Sequence, residues 1–139
     1  MLVTTRGRYA LQVMIDLAEH NDGRCVPIRD IAKRQEISPK YLEQILPLLS
    51  KSNLVYGVHG KNGGYRLNRL PEKYKVGEIL RVAEGDLIPV SCLNDGSVCN
   101  KESRPMKMWS DFYKLTNDYF DSITVADLMG DSNEYDYVI

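Results

Sequence analysis

Apolar residues recur at helical spacing in three segments of the first 52 residues. The first segment runs from Thr5 to about Glu19, and the second runs from Ile28 to Gln35. In each segment one face is apolar and the opposite face polar, as in a helix that packs against a core. The third segment begins at Ser38-Pro39, where serine is a favoured N-cap and proline suits the first helical position. The pattern therefore predicts three amphipathic helices in succession.

The third predicted helix separates its apolar and polar residues sharply. Its apolar stripe, spaced i, i+3, i+4 and i+7, consists of Leu42, Ile45, Leu46 and Leu49. If this stripe faces the core, the residues of the first two turns that face outward are Lys40, Tyr41, Glu43 and Gln44. Pro47 removes a backbone donor, so we expect a kink there or a break into two short helices.

A short hairpin is predicted after the third helix. Strands at 54–58 and 64–67 flank the glycine-rich turn His59-Gly60-Lys61-Asn62-Gly63, and Asn53 is expected in a left-handed conformation before them. The glycines allow the turn to approach a phosphate closely. Helix, turn, helix and basic hairpin in this order predict a winged helix-turn-helix that binds DNA.

The outward residues suit that role chemically. Gln44 can form two hydrogen bonds with an adenine edge, and Glu43 can accept a hydrogen bond from cytosine N4. Lys40, Lys61 and Arg66 are expected to bind phosphate. Two alternatives stay open: Ser38 serves only as the N-cap, and Tyr41 is a packing residue at the rim of the interface.

The C-terminal half predicts a long helix that needs a partner. A short helix at 76–84 ends at Gly85, a loop-like stretch follows at 86–104, and Pro105 opens the long helix. A narrow apolar seam consists of Trp109, Phe112, Thr116, Tyr119 and Ile123, with Met108, Leu115 and Phe120 beside it. Such a seam is typical of a dimer interface. The alternative is burial against the chain's own core. Thr124 is expected to cap a short helix, and the tail at 134–139 to add a strand or dock on a neighbour.

The net charge of −1 conceals two oppositely charged halves. Residues 1–75 contain 13 Lys/Arg and 7 Asp/Glu, a charge of 13 − 7 = +6; residues 76–139 contain 5 and 12, a charge of 5 − 12 = −7. The basic half contains the predicted wing and helices. Because phosphate attracts the first half and repels the second, we expect the basic half to face a duplex.

Composition excludes several other classes of protein. The chain contains no apolar run long enough to span a membrane and no N-terminal signal-like stretch, so we expect a cytoplasmic protein. Three cysteines offer no disulfide framework. The two histidines, His20 and His59, form no general-base constellation, and no nucleophile or nucleotide-phosphate motif accompanies them. An enzyme is therefore not expected.

Six segments, taken in order, resemble one family. They are 6–10 (RGRYA), 38–46, 60–67, 79–85 (ILRVAEG), the stretch from Cys92 to Trp109, and 121–124 (DSIT). Together they resemble the IscR/NsrR/CymR family of bacterial transcriptional regulators, also called the Rrf-two family. The resemblance implies a winged-helix domain, a C-terminal dimerisation helix and a pseudo-palindromic operator. It also implies contacts to DNA by Ser38, Tyr41, Glu43, Gln44 and the wing residues His59, Gly60 and Lys61, with Arg6 and Arg8 near phosphate.

The cysteines depart from the pattern of the cluster-binding members. Those members carry three cysteines before the long helix, and the third position is Ser103 here, so only Cys92 and Cys99 remain. Some members carry a histidine ligand where this chain has Met106. Because an iron–sulfur cluster normally takes four thiolate or imidazole ligands, a [2Fe–2S] cluster would need two from elsewhere. The candidate sources of these two ligands are Cys25, His20, His59, a carboxylate or a second subunit. A redox-active thiol pair and cysteines without such a role are the alternatives.

The sequence thus predicts a mainly α-helical protein with a small β-hairpin wing. We expect a DNA-binding domain at 1–75, a linking helix and cysteine-containing loop at 76–104, and a dimerisation helix with tail at 105–139. The expected function is that of a homodimeric, sequence-specific regulator that binds double-stranded DNA. We expect it to be a repressor that responds to iron–sulfur, redox or cysteine status, through an effector or partner enzyme not identified by the sequence. The alternative is a winged-helix module that binds proteins instead of an operator.

Overall fold

Helices and one hairpin occur in the order that the apolar pattern predicts. The structure is a computed structural model and describes residues 3–87 and 104–130 of the 139-residue chain. Its elements are α1 (Thr5–Glu19), α2 (Ile28–Gln35), α3 (Pro39–Lys51), β1 (Val55–Val58), β2 (Gly64–Leu67), a 3₁₀ helix (Pro71–Lys73), α4 (Val76–Glu84), α5 (Arg104–Asp121) and α6 (Val125–Leu128). The prediction of a mainly helical fold with a hairpin wing is confirmed.

Helix α3 continues through Pro47 without a break. Of the two outcomes expected at Pro47, a kink or a break, the break into two short helices does not occur. The carbonyl that loses its helical donor belongs to Glu43, a residue on the exposed face of the helix. Leu46 and Leu49 are both fully buried on the opposite face. Packing on both sides of Pro47 thus holds the helix together.

The hairpin is anchored to the segment between α1 and α2. Strands β1 and β2 are antiparallel, and Val55 pairs with Leu67. Val26 adds a bridge to Tyr65: each backbone N–H donates to the other residue's carbonyl, at 2.8 and 2.9 Å. A Cβ atom at Gly64 would lie 2.3 Å from the carbonyl oxygen of Val26, so this approach requires glycine. Asn53 has the expected left-handed conformation, with φ of 60°.

One large core joins α1, α2, α3 and the wing. All four residues of the predicted α3 stripe belong to it. A smaller cluster under α4 consists of Val76, Leu80 and Leu87, with Phe120 and Ile123 packed against it. Val125 of α6 returns to the large core and is fully buried. The C-terminal segment is therefore joined to the first 75 residues by packing.

A buried carboxylate ties α1 to α2. Asp16 is fully buried, and its two oxygens accept hydrogen bonds from Arg34 at 2.9 and 2.8 Å and from the Gln35 amide at 2.9 Å. The hydrogen bond to Asp16 raises the pKa of Arg34. His20 lies nearby, with Nδ1 2.8 Å from the Asp16 carbonyl oxygen. These bonds fix the first helix of the helix-turn-helix against α1.

A buried tyrosine ties the wing to the region before α4. The Tyr74 hydroxyl donates to the Leu54 carbonyl at 2.7 Å and accepts from the backbone N–H groups of Asn68 and Arg69, each at 3.1 Å. Burial raises the pKa of Tyr74, and the backbone hydrogen bonds oppose that rise. One hydroxyl therefore satisfies three backbone groups at the base of the hairpin.

Helix α5 is joined to α4 through Arg81. Its guanidinium donates to the Asp121 carboxylate at 3.0 and 2.8 Å and to the Asn117 side-chain oxygen at 3.2 and 2.8 Å. The hydrogen bond to Asp121 raises the pKa of Arg81. The helix ends at Asp121, so the predicted helical seam does not extend to Ile123, which packs on the α4 cluster. The predicted cap at Thr124 is confirmed as a capping box with Asp127.

Two further predictions fall on residues that the structure does not describe. The cysteine-containing part of the loop, at 88–103, and the tail at 131–139 lie outside the described residues. Within the two described ranges, no helix is long and apolar enough to cross a membrane.

Candidate nucleic-acid interface

The first two turns of α3 present polar side chains to solvent. The Ser38 hydroxyl accepts a hydrogen bond from the Tyr41 backbone N–H at 3.1 Å, as predicted for an N-cap. Lys40, Glu43 and Gln44 are exposed, while the neighbouring Leu42 and Ile45 are buried. The buried stripe thus determines which side chains of α3 a partner can reach.

Tyr41 is half-buried and packs edge-on against Tyr9 of α1. The two ring centroids lie 5.3 Å apart, with an interplanar angle of 81°. This geometry is favourable for an aromatic pair and fixes the ring. The alternative considered for Tyr41, a packing residue at the rim, therefore has a structural basis.

Arg6 lies beside the outward face of α3. It lines a groove of about 250 Å³ together with Tyr41, Gln44, Ile45 and Leu48. Thr4 caps α1 and is held by the Glu84 carboxylate, which accepts hydrogen bonds from its N–H and, at 2.7 Å, from its hydroxyl. Arg8 is exposed on α1 and does not line the groove. The structure thus brings Arg6 and Gln44 together from residues far apart in sequence.

The wing tip is exposed and shaped by glycine. His59, Gly60 and Lys61 all lie at the surface. Gly60 has a φ of +105°, which favours glycine, and its carbonyl accepts from the Gly63 N–H at 3.0 Å. Arg66 lies over the half-exposed ring of Tyr56, with its guanidinium carbon 4.9 Å from the ring centroid. The tip is therefore open to a partner.

Two arginines near the wing were not predicted as site residues from the sequence. Arg24 and Arg29 line an open cavity of about 540 Å³ whose other lining residues are Cys25, Pro27, Lys61 and Asn62. No motif singles these arginines out, because they approach the wing only through the Val26 bridge to β2. Their proximity to Lys61 is a property of the tertiary structure.

The exposed apolar face of α5 differs from the predicted seam. Its most exposed large apolar side chains are Met108, Phe112, Leu115 and Tyr119, with exposed fractions of 54%, 43%, 69% and 63%. They follow each other by four, three and four positions and form one stripe. Phe112 and Tyr119 belong to the predicted seam, whereas Trp109 and Thr116 are half-buried. The centre of the uncovered face is therefore shifted toward Met108 and Leu115.

The described residues contain no candidate metal centre. In residues 3–87 and 104–130, no three histidine, cysteine or acidic side chains gather closely enough to hold a metal ion. Cys92, Cys99 and Ser103 lie outside these ranges, and Cys25 is a half-buried free thiol. Met106, where some family members carry a histidine, is buried.

Comparison with known proteins identifies the family. Residues 3–131 match the model of the Rrf2 family, described as an iron-dependent transcriptional regulator. The HTH-type transcriptional regulator IscR of Vibrio campbellii is 34% identical over 134 residues, which cover 95% of this chain and 79% of that protein.

Two solved structures are also similar. CymR, the global cysteine regulator of B. subtilis, has a TM-score of 0.78 at 32% identity, covering 92% of this chain and 95% of that one. T. potens IscR has a TM-score of 0.73 at 38% identity, covering 92% and 85%. The family comprises transcriptional regulators, not enzymes, as the sequence analysis expected. The chain is a DNA-binding winged helix-turn-helix transcriptional regulator and belongs to the Rrf2 family, the IscR/NsrR/CymR family of the sequence analysis.

Proposed function

We propose that this regulator binds a pseudo-palindromic operator as a homodimer, with α3 in the major groove and the wing in the adjacent minor groove. The observation that supports this proposal is the exposed polar face of α3, which carries Lys40, Glu43 and Gln44 opposite a fully buried stripe. A helix held in this way presents rigid hydrogen-bonding groups from its first turns, where recognition helices contact bases.

Different side chains have different proposed roles. Gln44 and Glu43 read base edges, and each good contact contributes roughly 1–3 kcal/mol of discrimination. Ser38 caps α3 and contacts the duplex, and Tyr41 contacts it from the rim. The remaining positions bind backbone phosphate or enter the minor groove: Arg6, Arg8, Lys40, His59, Gly60, Lys61 and Arg66. Arg6 lines the same groove as Gln44, so its phosphate contact would lie beside the base that Gln44 reads.

The exposed face of α5 supports the proposed dimer. Leu115 and Tyr119 are each more than 60% exposed, and Met108 and Phe112 extend the same stripe. A contiguous apolar patch in water marks an interaction surface. A second copy of the chain can cover it through a two-fold contact, since identical stripes are self-complementary. Such a dimer would present two α3 helices to half-sites about one helical turn apart, or a multiple of it.

In this proposal, three consecutive segments of the chain have separate roles. Residues 1–75 bind DNA, residues 76–104 link the two activities, and residues 105–139 assemble the dimer. Arg81 supports the linking role, because it joins α4 to α5 through Asn117 and Asp121. We propose that the protein acts in the cytoplasm as a repressor.

The proposed signal is iron–sulfur, redox or cysteine status. The matching family model is described as iron-dependent, and CymR is named a global cysteine regulator. Cys92 and Cys99 are the residues on which the response would depend, as a thiol pair or as two ligands of a [2Fe–2S] cluster. Spectra and iron content of protein purified without oxygen test the cluster. Absorbance bands beyond 300 nm with bound iron would support it, and their absence would eliminate it.

The central experiment measures binding to operator fragments selected from the host genome. We expect nanomolar to sub-micromolar affinity that falls steeply between 50 and 200 mM salt, and sedimentation of the free protein as a dimer. Salt-independent or undetectable binding would overturn the proposal. It would instead favour a winged-helix module that binds proteins. A monomer that binds single half-sites would refute only the homodimer.

A further inference from the structure

We infer that the cavity at the root of the wing, which we call the wing-root pocket, binds one phosphate group of the DNA backbone. The pocket is lined by Arg24 and Arg29 from around the start of α2 and by Lys61 and Asn62 from the wing tip. These side chains provide three cations and one amide donor. Guanidinium and ammonium groups that converge from two elements are the chemistry that recognises a phosphate oxyanion.

Main-chain hydrogen bonds fix the positions of the two segments that line this pocket, the one before and at the start of α2 and the wing. Val26 lies between the two arginines, and its paired hydrogen bonds to Tyr65 attach this segment to β2. The close approach of Gly64 to the Val26 carbonyl leaves no room for a side chain at that position. Arg24 and Lys61 are therefore brought together by main-chain pairing. The pairing fixes the backbone from which these side chains extend, so binding does not have to order the two segments relative to each other.

Carboxylates of the described residues engage the cations of the wing-root pocket only weakly. Across residues 3–87 and 104–130, no carboxylate forms an ion pair with Arg24 or Lys61. Arg29 makes only a loose contact, 3.9 Å from Nε to a carboxylate oxygen of Asp30, and its side chain is 85% exposed. By contrast, Arg34, Arg69 and Arg81 are all engaged by carboxylates. The pocket thus retains its positive charge for an external anion.

Its position favours a phosphodiester of the duplex as the source of that anion. The inference here rests on the proposed function, in which the wing and the helix-turn-helix contact the same duplex. One phosphate held by Arg29 and Lys61 together would join these two elements across the backbone. Such a contact adds affinity and fixes the register of the wing without reading sequence. Free phosphate shares the same chemistry, and the experiment distinguishes the two sources.

The first measurement is the salt dependence of binding to a mixed-sequence 30-bp duplex, followed by fluorescence anisotropy. The variant Arg24→Gln/Arg29→Gln/Lys61→Gln is compared with the wild type and with Lys73→Gln, an exposed cation in the 3₁₀ helix that is remote in sequence from the pocket. One shared phosphate predicts that the triple variant lowers the slope of log K against log salt by about 0.9. The dissociation constant should rise roughly ten-fold. Lys73→Gln should match the wild type.

Other slopes would refute the inference. A decrease of about 2.7 would mean that the three cations contact separate phosphates on an ordinary basic surface. An unchanged slope would mean that the pocket contacts no DNA. If the wild type itself fails to bind duplex, the proposed function fails. In that case, titration with inorganic phosphate alone tests the pocket. Binding by the wild type but not by the triple variant would identify free phosphate as the ligand. No binding by the wild type would refute the proposed anion site.

A second measurement reports occupancy directly. Cys25 lines the same pocket, so a bound phosphodiester should slow its alkylation by iodoacetamide. Peptide mass spectrometry on the complete protein measures the alkylation of Cys25 with and without duplex. We expect several-fold protection in the wild type and in Lys73→Gln, and little protection in the triple variant. Equal protection in all three would overturn the assignment. Circular dichroism and thermal melting establish that each variant is folded.

Discussion

Helices α3 and α5 carry apolar stripes of similar spacing, but only the stripe of α3 is covered. Leu42 and Leu46 are completely buried in the chain's own core, whereas Leu115 and Tyr119 of α5 are largely exposed. The first stripe therefore stabilises the monomer and leaves the polar face opposite it exposed, the face that we propose reads DNA. The second stripe is left for another molecule. The same sequence pattern thus supports folding in one region and, in our proposal, assembly in the other.

The largest expected effect comes from truncating the covered stripe. Leu42→Ala should lower the free energy of unfolding by about 2–5 kcal/mol, because it leaves a cavity in a closely packed core. Leu115→Ala removes the same atoms from an exposed site, so its effect should stay within about 0.5 kcal/mol in protein dilute enough to be monomeric. Urea denaturation measures both. Equal losses in the two variants would abolish the distinction between the stripes.

A charge on the uncovered stripe should separate the subunits. Leu115→Asp places a carboxylate in the proposed interface, and we expect the dimer dissociation constant to rise about 100-fold, equivalent to roughly 3 kcal/mol. Lys114→Asp changes the neighbouring exposed residue, whose ammonium contacts Asp118 and which does not belong to the stripe, and serves as the control. Sedimentation velocity over a concentration series measures the equilibrium. A Leu115→Asp protein that remains as dimeric as the wild type would exclude this face as the interface.

The core that covers the α3 stripe also contains the buried Tyr74 hydroxyl, and its removal should lower the stability of the protein. Tyr74→Phe leaves the Leu54 carbonyl without its hydroxyl donor, and we expect a loss of about 1–3 kcal/mol in stability. The pKa of Tyr74 is raised in the folded state, so its contribution is complete below pH 10 and is lost as the pH rises through the folded pKa. Stability measured across this alkaline range should therefore fall more steeply in the wild type than in Tyr74→Phe. If the stability of both proteins falls equally with pH, ionisation of the Tyr74 hydroxyl does not cause the alkaline loss of stability.

Substitutions on the polar faces of α3 and α5 should have smaller effects, which differ in how they change sequence discrimination. Gln44→Ala on α3 should reduce discrimination between the operator and single-base variants by roughly 1–3 kcal/mol at the position it reads. Lys61→Ala should weaken binding to all sequences alike, because phosphate contacts carry no sequence information. Lys114→Ala, on the polar side of α5 where its ammonium contacts Asp118, should leave specificity unchanged. Gel shifts on matched and altered operators compare the three, and identical behaviour of Gln44→Ala and Lys61→Ala would contradict the proposed roles.

Local chemistry explains why the elements were predictable. The cap at Ser38, the proline after it and the left-handed residue at Asn53 each act within a few residues, and all three have the predicted conformation. Pro47 shows where local reasoning leaves two outcomes open, a kink or a break, and packing excludes the break. Its missing N–H is a local defect, but the buried side chains on both sides of it keep α3 continuous.

Part of the candidate site was also predictable, because it depends on the local periodicity of α3. Helical periodicity alone indicated which residues of α3 face outward, and Lys40, Glu43 and Gln44 are indeed exposed. Arg24 and Arg29 could not be found in this way, because a β-bridge places them beside the wing. Nor could the sequence show that Trp109 is partly covered by the chain itself.

The sequence by itself determined the order and approximate bounds of the α-helices and the hairpin, which face of α3 is polar, and that the first half of the chain is basic. These properties depend on neighbours within one or two helical turns. Only the tertiary structure decided that Arg6 adjoins Gln44, that Lys61 shares a pocket with two arginines, and that Leu115 has no cover within the described chain. Contacts between residues distant in sequence depend on how the elements pack, and packing is a property of all the surfaces together.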